Sequence, residues 1–507
     1  MPWPALSTMG SDPFAEAVAH HRAGRLGEAM ELYKQTLHAN PGHAGALHLL
    51  GVLVHKIGDP AMAAKLILEA IRLDRAQPFL YADLALAFAD SGRPADAARA
   101  FLATLLLDPS HARAAFSLAV LFEDAGRRVE ALPLYRHAAR LEPDPSRSLN
   151  NLGAALTKEE CADDAISPLR AALAIDPAMV EGWYNLAQAQ RGAQRIEEAL
   201  ALYRRALAVA PDHPMVNADY GTALLLAGRS EEGWARHEWR WKTAIFDPYQ
   251  RGFVQPLWDG ARLNGKRLLL HGEQGLGDVL QFCRYAPLVT GGEVVLEVHP
   301  PLVRLLRNLP GVSRVIARGE TLPMFDLQCP LMSLPRLFPE SPAAPYLPAP
   351  PVRASEGKKR VGLVWAGSSH HPDDRRRSLP KDRLASLLAV SQVDWFSLQI
   401  GSPPPDGATD LTQGIGDFAD TAEILAGLDL LITVDTSIAH LAGAIGRPAW
   451  VMLAYTPDWR WQLERSDTPW YPSLRLFRQK KPGDWAGVIE EVVAELSTAA
   501  TAAARCR

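Results

Sequence analysis

Residues recur along the first half of this chain at a fixed step of 34. From Ala29 the step lands on Ala63, Ala97, Ala131, Ala165 and Ala199. From Gly51 it lands on Ala85, Ala119, Gly153, Ala187 and Gly221, and from Leu50 on Leu84, Leu118, Leu152 and Leu186. Pro41, Pro109, Pro143, Pro177 and Pro211 keep one register, with Arg75 at its single gap, and Gly24, Gly58, Gly92 and Gly126 keep another. A period of this length assigns one supersecondary unit to each step. Such a unit is too small to bury a core alone, so neighbours must stack. The two small positions let a pair of antiparallel helices approach closely. A bulky residue four positions after each Ala (Tyr33, Ile67, Phe101, Tyr135, Leu169, Tyr203) fills the gap to the next unit. Proline ends the second helix of each pair.

The pattern resembles the tetratricopeptide repeat. Six repeats are expected, at 10–43, 44–77, 78–111, 112–145, 146–179 and 180–213, with a half repeat from 214 to about 245. Residues 10–245 therefore form one α-helical superhelix. Glu160 and Gln194 stand where other repeats have the turn glycine. The resemblance implies a concave surface that holds a protein partner.

The period stops near residue 245, and 507 residues leave room for further domains. A net charge of −4 argues against general nucleic-acid binding. Cys161, Cys283, Cys329 and Cys506 show no metal-ligand spacing, which points to a reducing compartment without a disulfide framework. The first residues, MPWPALSTMGSDPF, lack a basic and then apolar signal region. No apolar run reaches the roughly 18 residues of a membrane span. The expected location is the cytoplasm, and the Ala, Arg and Pro enrichment suggests a bacterial genome rich in G and C.

After an aromatic and Pro-containing linker at 246–265, apolar runs alternate with helical patterns. RLLLH at 267–271, EVVLEV at 293–298 and a run at 314–316 read as strands, with helices at 279–289 and near 302–308. A Pro-rich stretch at 341–359 interrupts this order. Strands at 360–365, 395–399, 430–434 and 449–453 follow, with helices ending near 390, at 421–426, from Ser437 and at 485–504. Alternation of this kind predicts parallel α/β sheets. The expected domains are 246–345 and 358–505, two Rossmann-like units facing a cleft.

Two segments carry candidate chemistry. Gly272, Glu273, Gln274, Gly275, Leu276, Gly277 and Asp278 join the first strand to a helix. Glycine-rich turns bring backbone N–H groups near a ligand. Asp278, at the top of the helix, is placed to accept a proton from a hydroxyl, or simply to cap it. The spacing is neither the dinucleotide fingerprint nor a P-loop. The second segment is Asp435, Thr436, Ser437, Ile438, Ala439 and His440, directly after the strand LLITV. Hydroxyls and free amides at a helix start suit a phosphate, and His440 lies one turn in. Between them lies a basic loop, WAGSSHHPDDRRRSLPKDR, in which His371, Arg375, Arg377, Ser378 and Lys381 are candidate anion contacts. Trp459, Trp461 and Trp470 suit either packing or stacking on a base or sugar.

The Gly277–Asp278 pair and VDTSIAHLAGAIGRP at 434–448 resemble bacterial lipopolysaccharide heptosyltransferases. That resemblance implies a GT-B glycosyltransferase, inverting and metal-independent, with no cofactor beyond its nucleotide-sugar. It assigns Asp278 as base, Gln274, Gly275 and Gly277 to the acceptor-side loop, and Asp435, Thr436 and Ser437 to the donor phosphates. His440 and the basic-loop residues would join the donor site. The usual lysine of that family after the first strand of the second domain has no obvious counterpart here. A repeat array fused to such a domain is similar to protein O-GlcNAc transferases and to flagellin glycosyltransferases. Transfer of a sugar to Ser or Thr of a protein, with flagellin a candidate, is the reading these resemblances imply. Two others stay open: an inactive repeat scaffold, and a transferase acting on glycolipid.

Overall fold

The computed structural model describes residues 12–351, 357–369, 371 and 373–505. The chain forms two compact units, Met1–Gln190 and Arg191–Arg507.

The first unit is a stack of helix pairs. Pro13–Arg22 pairs with Leu26–Ala39, Ala44–Lys56 with Pro60–Leu73, Pro78–Asp90 with Pro94–Leu107, Ala112–Asp124 with Arg128–Leu141, and Ser146–Lys158 with Ala162–Ile175. The periodic Ala positions are where the helices touch: Ala29, Ala63, Ala97, Ala131 and Ala165 are wholly buried. Their bulky partners Tyr33, Ile67, Phe101, Tyr135 and Leu169 are buried with them. At Gly153 an added Cβ would lie 2.3 Å from Leu169 Cγ. Gly153→Ala is therefore expected to destabilise this unit by about 1–3 kcal/mol through overpacking, read as a lower denaturant midpoint at unchanged slope.

The turns between paired helices need a left-handed residue. Gly24, Gly58, Gly92 and Gly126 have φ of 76°, 98°, 70° and 74°, and Glu160 adopts 63° in the same place. The lost glycine has not changed the turn; a non-glycine residue carries the strain instead. Between repeats, Asp74, Asp108 and Asp176 end their helices, and each carboxylate accepts from the backbone N–H two residues on, at 2.9–3.1 Å. Polar pairs 35 residues apart link successive first helices. His48 Nε2 lies 2.7 Å from Asp83 Oδ2, His55 Nε2 lies 2.7 Å from Asp90 Oδ2, and Asn185 Nδ2 donates to Asn150 Oδ1 at 3.0 Å.

The second unit begins with helices Ile196–Val209, Pro214–Leu226 and Ser230–His237, followed by two short 3-10 helices, Glu238–Lys242 and Ala244–Tyr249. Two wholly parallel sheets follow. The first contains β1 (Arg267–His271), β2 (Glu293–Val298), β3 (Arg314–Ala317) and β4 (Leu327–Pro330) in the order β3-β2-β1-β4. The second contains β5 (Lys359–Val364), β6 (Val393–Ser397), β7 (Ala408–Asp410), β8 (Leu430–Val434), β9 (Ala449–Leu453) and β10 (Leu474–Arg478), ordered β10-β9-β8-β5-β6-β7. Counted from its own first strand, the second sheet runs 3-2-1-4-5-6, the order of doubly wound dinucleotide-binding sheets. In such sheets a ligand crevice opens at the carboxyl ends of the strands where the winding reverses. That point lies between β5 and β8 here, and between β1 and β4 in the smaller sheet.

One apolar core joins both sheets to the last helices of the helical segment. Leu225, Leu226 and Trp234 share it with Phe282 and Val279 from beside β1 and with Ile438, Ala439 and Trp461 from beside β8. Tyr346 and Leu347 of the Pro-rich stretch pack against this core, and their N–H groups both donate to Ala444 O at 3.0 Å. The long helix Trp485–Arg505 covers the second sheet through Trp485, Val488, Ile489, Val492 and Leu496. Among the described residues no helix is long and apolar enough to cross a membrane.

Candidate functional site

The loop after β1 is fixed from beneath by charge. Glu273 is buried, and its carboxylate accepts from Arg240 Nη2 at 3.1 and 3.0 Å and from Met332 N at 3.1 Å. Arg240, also buried, donates further to Glu238 Oε1 at 2.7 Å and Ser333 Oγ at 2.9 Å. Burial pushes the Glu273 carboxyl up to about 7, against the pull of Arg240. Above this anchor, Gln274 is half-buried and Gly275 exposed. Gly275 is the N-cap of helix Leu276–Phe282, and its N–H donates to Asp278 Oδ2 at 2.7 Å. Asp278 therefore does cap the helix. Its other oxygen, Oδ1, accepts from Arg460 Nη2.

Arg460 comes from the 3-10 turn Trp459–Trp461, after β9. Its Nε donates to Gln281 Oε1 at 2.6 Å and its Nη1 to Asp458 Oδ1 at 2.9 Å. The guanidinium lies 4.4 Å from the centre of the Trp459 ring. The three tryptophans are packing residues: Trp459 meets Trp234 and Trp470 edge-on, at 5.2 and 6.2 Å between ring centres, and Trp461 stacks on His440.

After β8, Asp435 is half-buried and Thr436 is the N-cap of helix Ser437–Ala444. The Thr436 hydroxyl makes no capping bond and instead lies 3.2 Å from Thr433 Oγ1. The first amides of this helix are thus left without a side-chain cap. His440 is buried, with Nδ1 at 3.0 Å from Tyr471 OH, and burial holds its pKa well below the ordinary value. It is a neutral, packed histidine.

The two motifs meet. A Cβ added at Gly277 would lie 2.8 Å from His440 Cδ2 and 3.6 Å from Ser437 Cα, so the two helix starts touch through the glycine. The basic loop lines the same edge in part. Arg377 covers Gly367, its Nε lies 3.6 Å from Asp374 Oδ1, and its charge acts on Asp435 and on His371. His371 Nδ1 accepts from Asp373 N at 3.1 Å. Ser378 accepts from Gly367 N at 2.9 Å and donates to Asp374 Oδ1 at 2.8 Å, which closes the loop on itself. Lys381 donates to the carbonyls of Pro403 and Pro404 at 3.0 and 3.3 Å, and Arg375 is exposed.

Three carboxylates, Asp278, Asp435 and Asp458, thus share one edge with two guanidiniums, Arg377 and Arg460. Burial, followed by the Asp458 charge, pushes Asp435 up to about 6. A carboxyl raised this way binds its proton more readily folded than unfolded. Its contribution to stability is therefore present below about pH 4 and lost as pH rises through 6. Asp435→Asn is expected to stabilise the fold at pH 7, by up to about 3 kcal/mol on the scale of 1.36 kcal/mol per pKa unit. The gain should vanish near pH 4, measured by thermal unfolding across that range. Among the described residues no group of three or more His, Cys, Asp or Glu side chains is placed to hold a metal ion.

Sequence reasoning missed Arg460, Asp458 and Arg240. The segment WRW at 459–461 drew attention to its aromatics, and the arginine between them is the residue that reaches Asp278.

Residues 14–78, 82–145 and 156–218 match the tetratricopeptide repeat family. Protein FlbA of Caulobacter vibrioides is 29% identical over 331 residues, covering 56% of this chain and 55% of FlbA. The chain thus spans about half the length of the curated relative it matches. Among solved structures, YrrB, a TPR protein with an unusual peptide-binding site, is 19% identical with a TM-score of 0.35, over 36% of this chain and 95% of that one. The C-terminal part of a TPR repeat-containing protein from Cytophaga hutchinsonii is 15% identical with a TM-score of 0.40, over 47% and 96%. The chain is a tetratricopeptide array followed by a parallel-sheet α/β region.

Proposed function

We propose that this chain is a cytoplasmic protein O-glycosyltransferase of GT-B type, moving a sugar from a nucleotide-sugar to Ser or Thr of a protein held by the repeats. The observation that carries the reading is the contact of the two strand-to-helix motifs through Gly277. It sets Asp278 beside the uncapped helix start at Thr436–Ser437, at the carboxyl ends of two parallel sheets. In a single displacement, Asp278 takes the proton of the acceptor hydroxyl as the new C–O bond forms. The bond from sugar to phosphate breaks on the opposite face. The departing phosphate is stabilised by the amides of the Ser437 helix and by the Arg377 and Arg460 guanidiniums. The repeats raise the local concentration of a weakly held acceptor. Flagellin is one acceptor that fits this design.

A second reading is favoured by one observation: both oxygens of Asp278 are already engaged, by Gly275 N and by Arg460. A base fixed this way also suits a scaffold that binds partners without turnover.

Thermal unfolding against CMP, UDP, GDP and ADP separates the two. One nucleotide at about 100 times its Kd is expected to stabilise the second unit by about 2.7 kcal/mol. CMP would point to a nonulosonic acid donor and ADP to a heptose. Flat unfolding curves with all four would leave the scaffold reading in possession.

A further inference from the structure

Arg460 is the most heavily engaged cation at this edge, and it is held by acids that a ligand would not need. Its three nitrogens go to Gln281, Asp458 and Asp278. Its side chain is 9% exposed, whereas those of Asp278 and Asp458 are 18% and 36% exposed, so the carboxylates form the solvent side of the cluster. Behind it is a donor with nothing to bond. Gln281 Nε2 is buried without an acceptor, although the same amide accepts from Arg460 through Oε1. A buried donor left unpaired is costly. An arrangement with a surplus donor inside and carboxylates outside is poised to exchange one anion for another.

We propose that Arg460 is an exchange residue: in the resting protein it is neutralised by Asp278, and an incoming phosphate displaces that carboxylate from it. A phosphate brings more charge and more acceptor atoms than a carboxylate and suits the planar guanidinium fork. The exchange satisfies the idle Gln281 donor. It also frees Asp278 Oδ1, so that a free base would exist only when the anionic half of the donor is in place. Arg460 would then be a phosphate-binding residue that also positions Asp278. This deepens the donor-site reading given above and rests on it.

Deleting the competing carboxylate must therefore help binding. Calorimetric titration of the full chain with inorganic pyrophosphate, CMP, UDP, GDP and ADP tests it. Asp278→Asn keeps an oxygen for the Gly275 N–H and removes the charge and the acceptor that face Arg460. It is expected to bind pyrophosphate, and any nucleotide that binds, about tenfold more tightly than the parent chain. Arg460→Gln is expected to lose at least tenfold. If that variant unfolds, Arg460→Lys, which keeps the charge but loses the fork, should show a smaller loss. Equal or weaker binding by Asp278→Asn overturns the proposal, as does the absence of pyrophosphate binding in every variant. The two readings fail separately. A nucleotide that binds regardless of both substitutions keeps the donor site and sinks the exchange. Pyrophosphate that binds more tightly to Asp278→Asn while no nucleotide binds keeps the exchange and sinks the nucleotide-sugar reading.

Discussion

Arg240→Ala is expected to destabilise the second unit by about 3–5 kcal/mol, more than any surface substitution. The reason is what it leaves behind. Glu273 is 2% exposed and Ser333 1%, so water cannot replace the lost guanidinium. Glu273 would keep only the Met332 N–H, and Glu238 would lose its bond from Arg240 at 2.7 Å. Two carboxylates facing each other without the intervening cation must take up protons or separate. Separation would move the loop that carries Gly275 to Asp278. Glu273→Gln should be milder, since it keeps an acceptor for Met332 N while Glu238 continues to neutralise Arg240. Urea unfolding of the two variants at pH 7 checks the order. If Arg240→Ala falls within about 0.5 kcal/mol of the parent, the range of an ordinary surface substitution, the pair does not anchor the loop.

The same anchor explains part of what the sequence revealed and what it hid. The repeats were legible because one physical requirement, close helix approach, recurs every 34 residues and leaves Ala or Gly at the same phases. Even the substituted turns at Glu160 and Gln194 keep φ of 63° and 60°. The strands β1, β2, β8 and β9 were legible as apolar runs because parallel strands are covered on both faces. Three strands escaped. β7 has three residues, too few for any period, and β4 is the short run LQCP ending in proline. β10, LRLFR, carries two arginines, Arg475 and Arg478, on a sheet-edge strand and so reads as loop. The glycine loop and the Asp435 segment could be found because each follows a strand directly. Arg460 and Arg240 could not, because Asp278 and Glu273, the partners that tie them to the loop, lie 182 and 33 residues away. Only the fold brings those charges together, and a lone arginine in an aromatic segment carries no spacing to read.

Asp278→Asn is expected to lower sugar transfer by about 10²–10⁴-fold, the range for removing a general base, while leaving the fold intact. The structure separates the two roles of this side chain. The helix cap needs only an acceptor for the Gly275 N–H at 2.7 Å, and an amide oxygen supplies one. Proton abstraction needs the carboxylate charge, which an amide lacks. Loss of cap and charge together, as in Asp278→Ala, should add about 1 kcal/mol of destabilisation to the same loss of transfer. If Asn and Ala variants lose transfer equally but only Ala is less stable, the charge is chemical and the oxygen structural. Arg460→Lys supplies the control. It preserves a cation near Asp278 but withdraws the forked contact, so transfer should fall mainly through weaker donor binding, seen as a raised KM at a smaller change in kcat. An Asp278→Asn variant with full transfer would remove Asp278 from the chemistry and leave it as the cap of helix Leu276–Phe282.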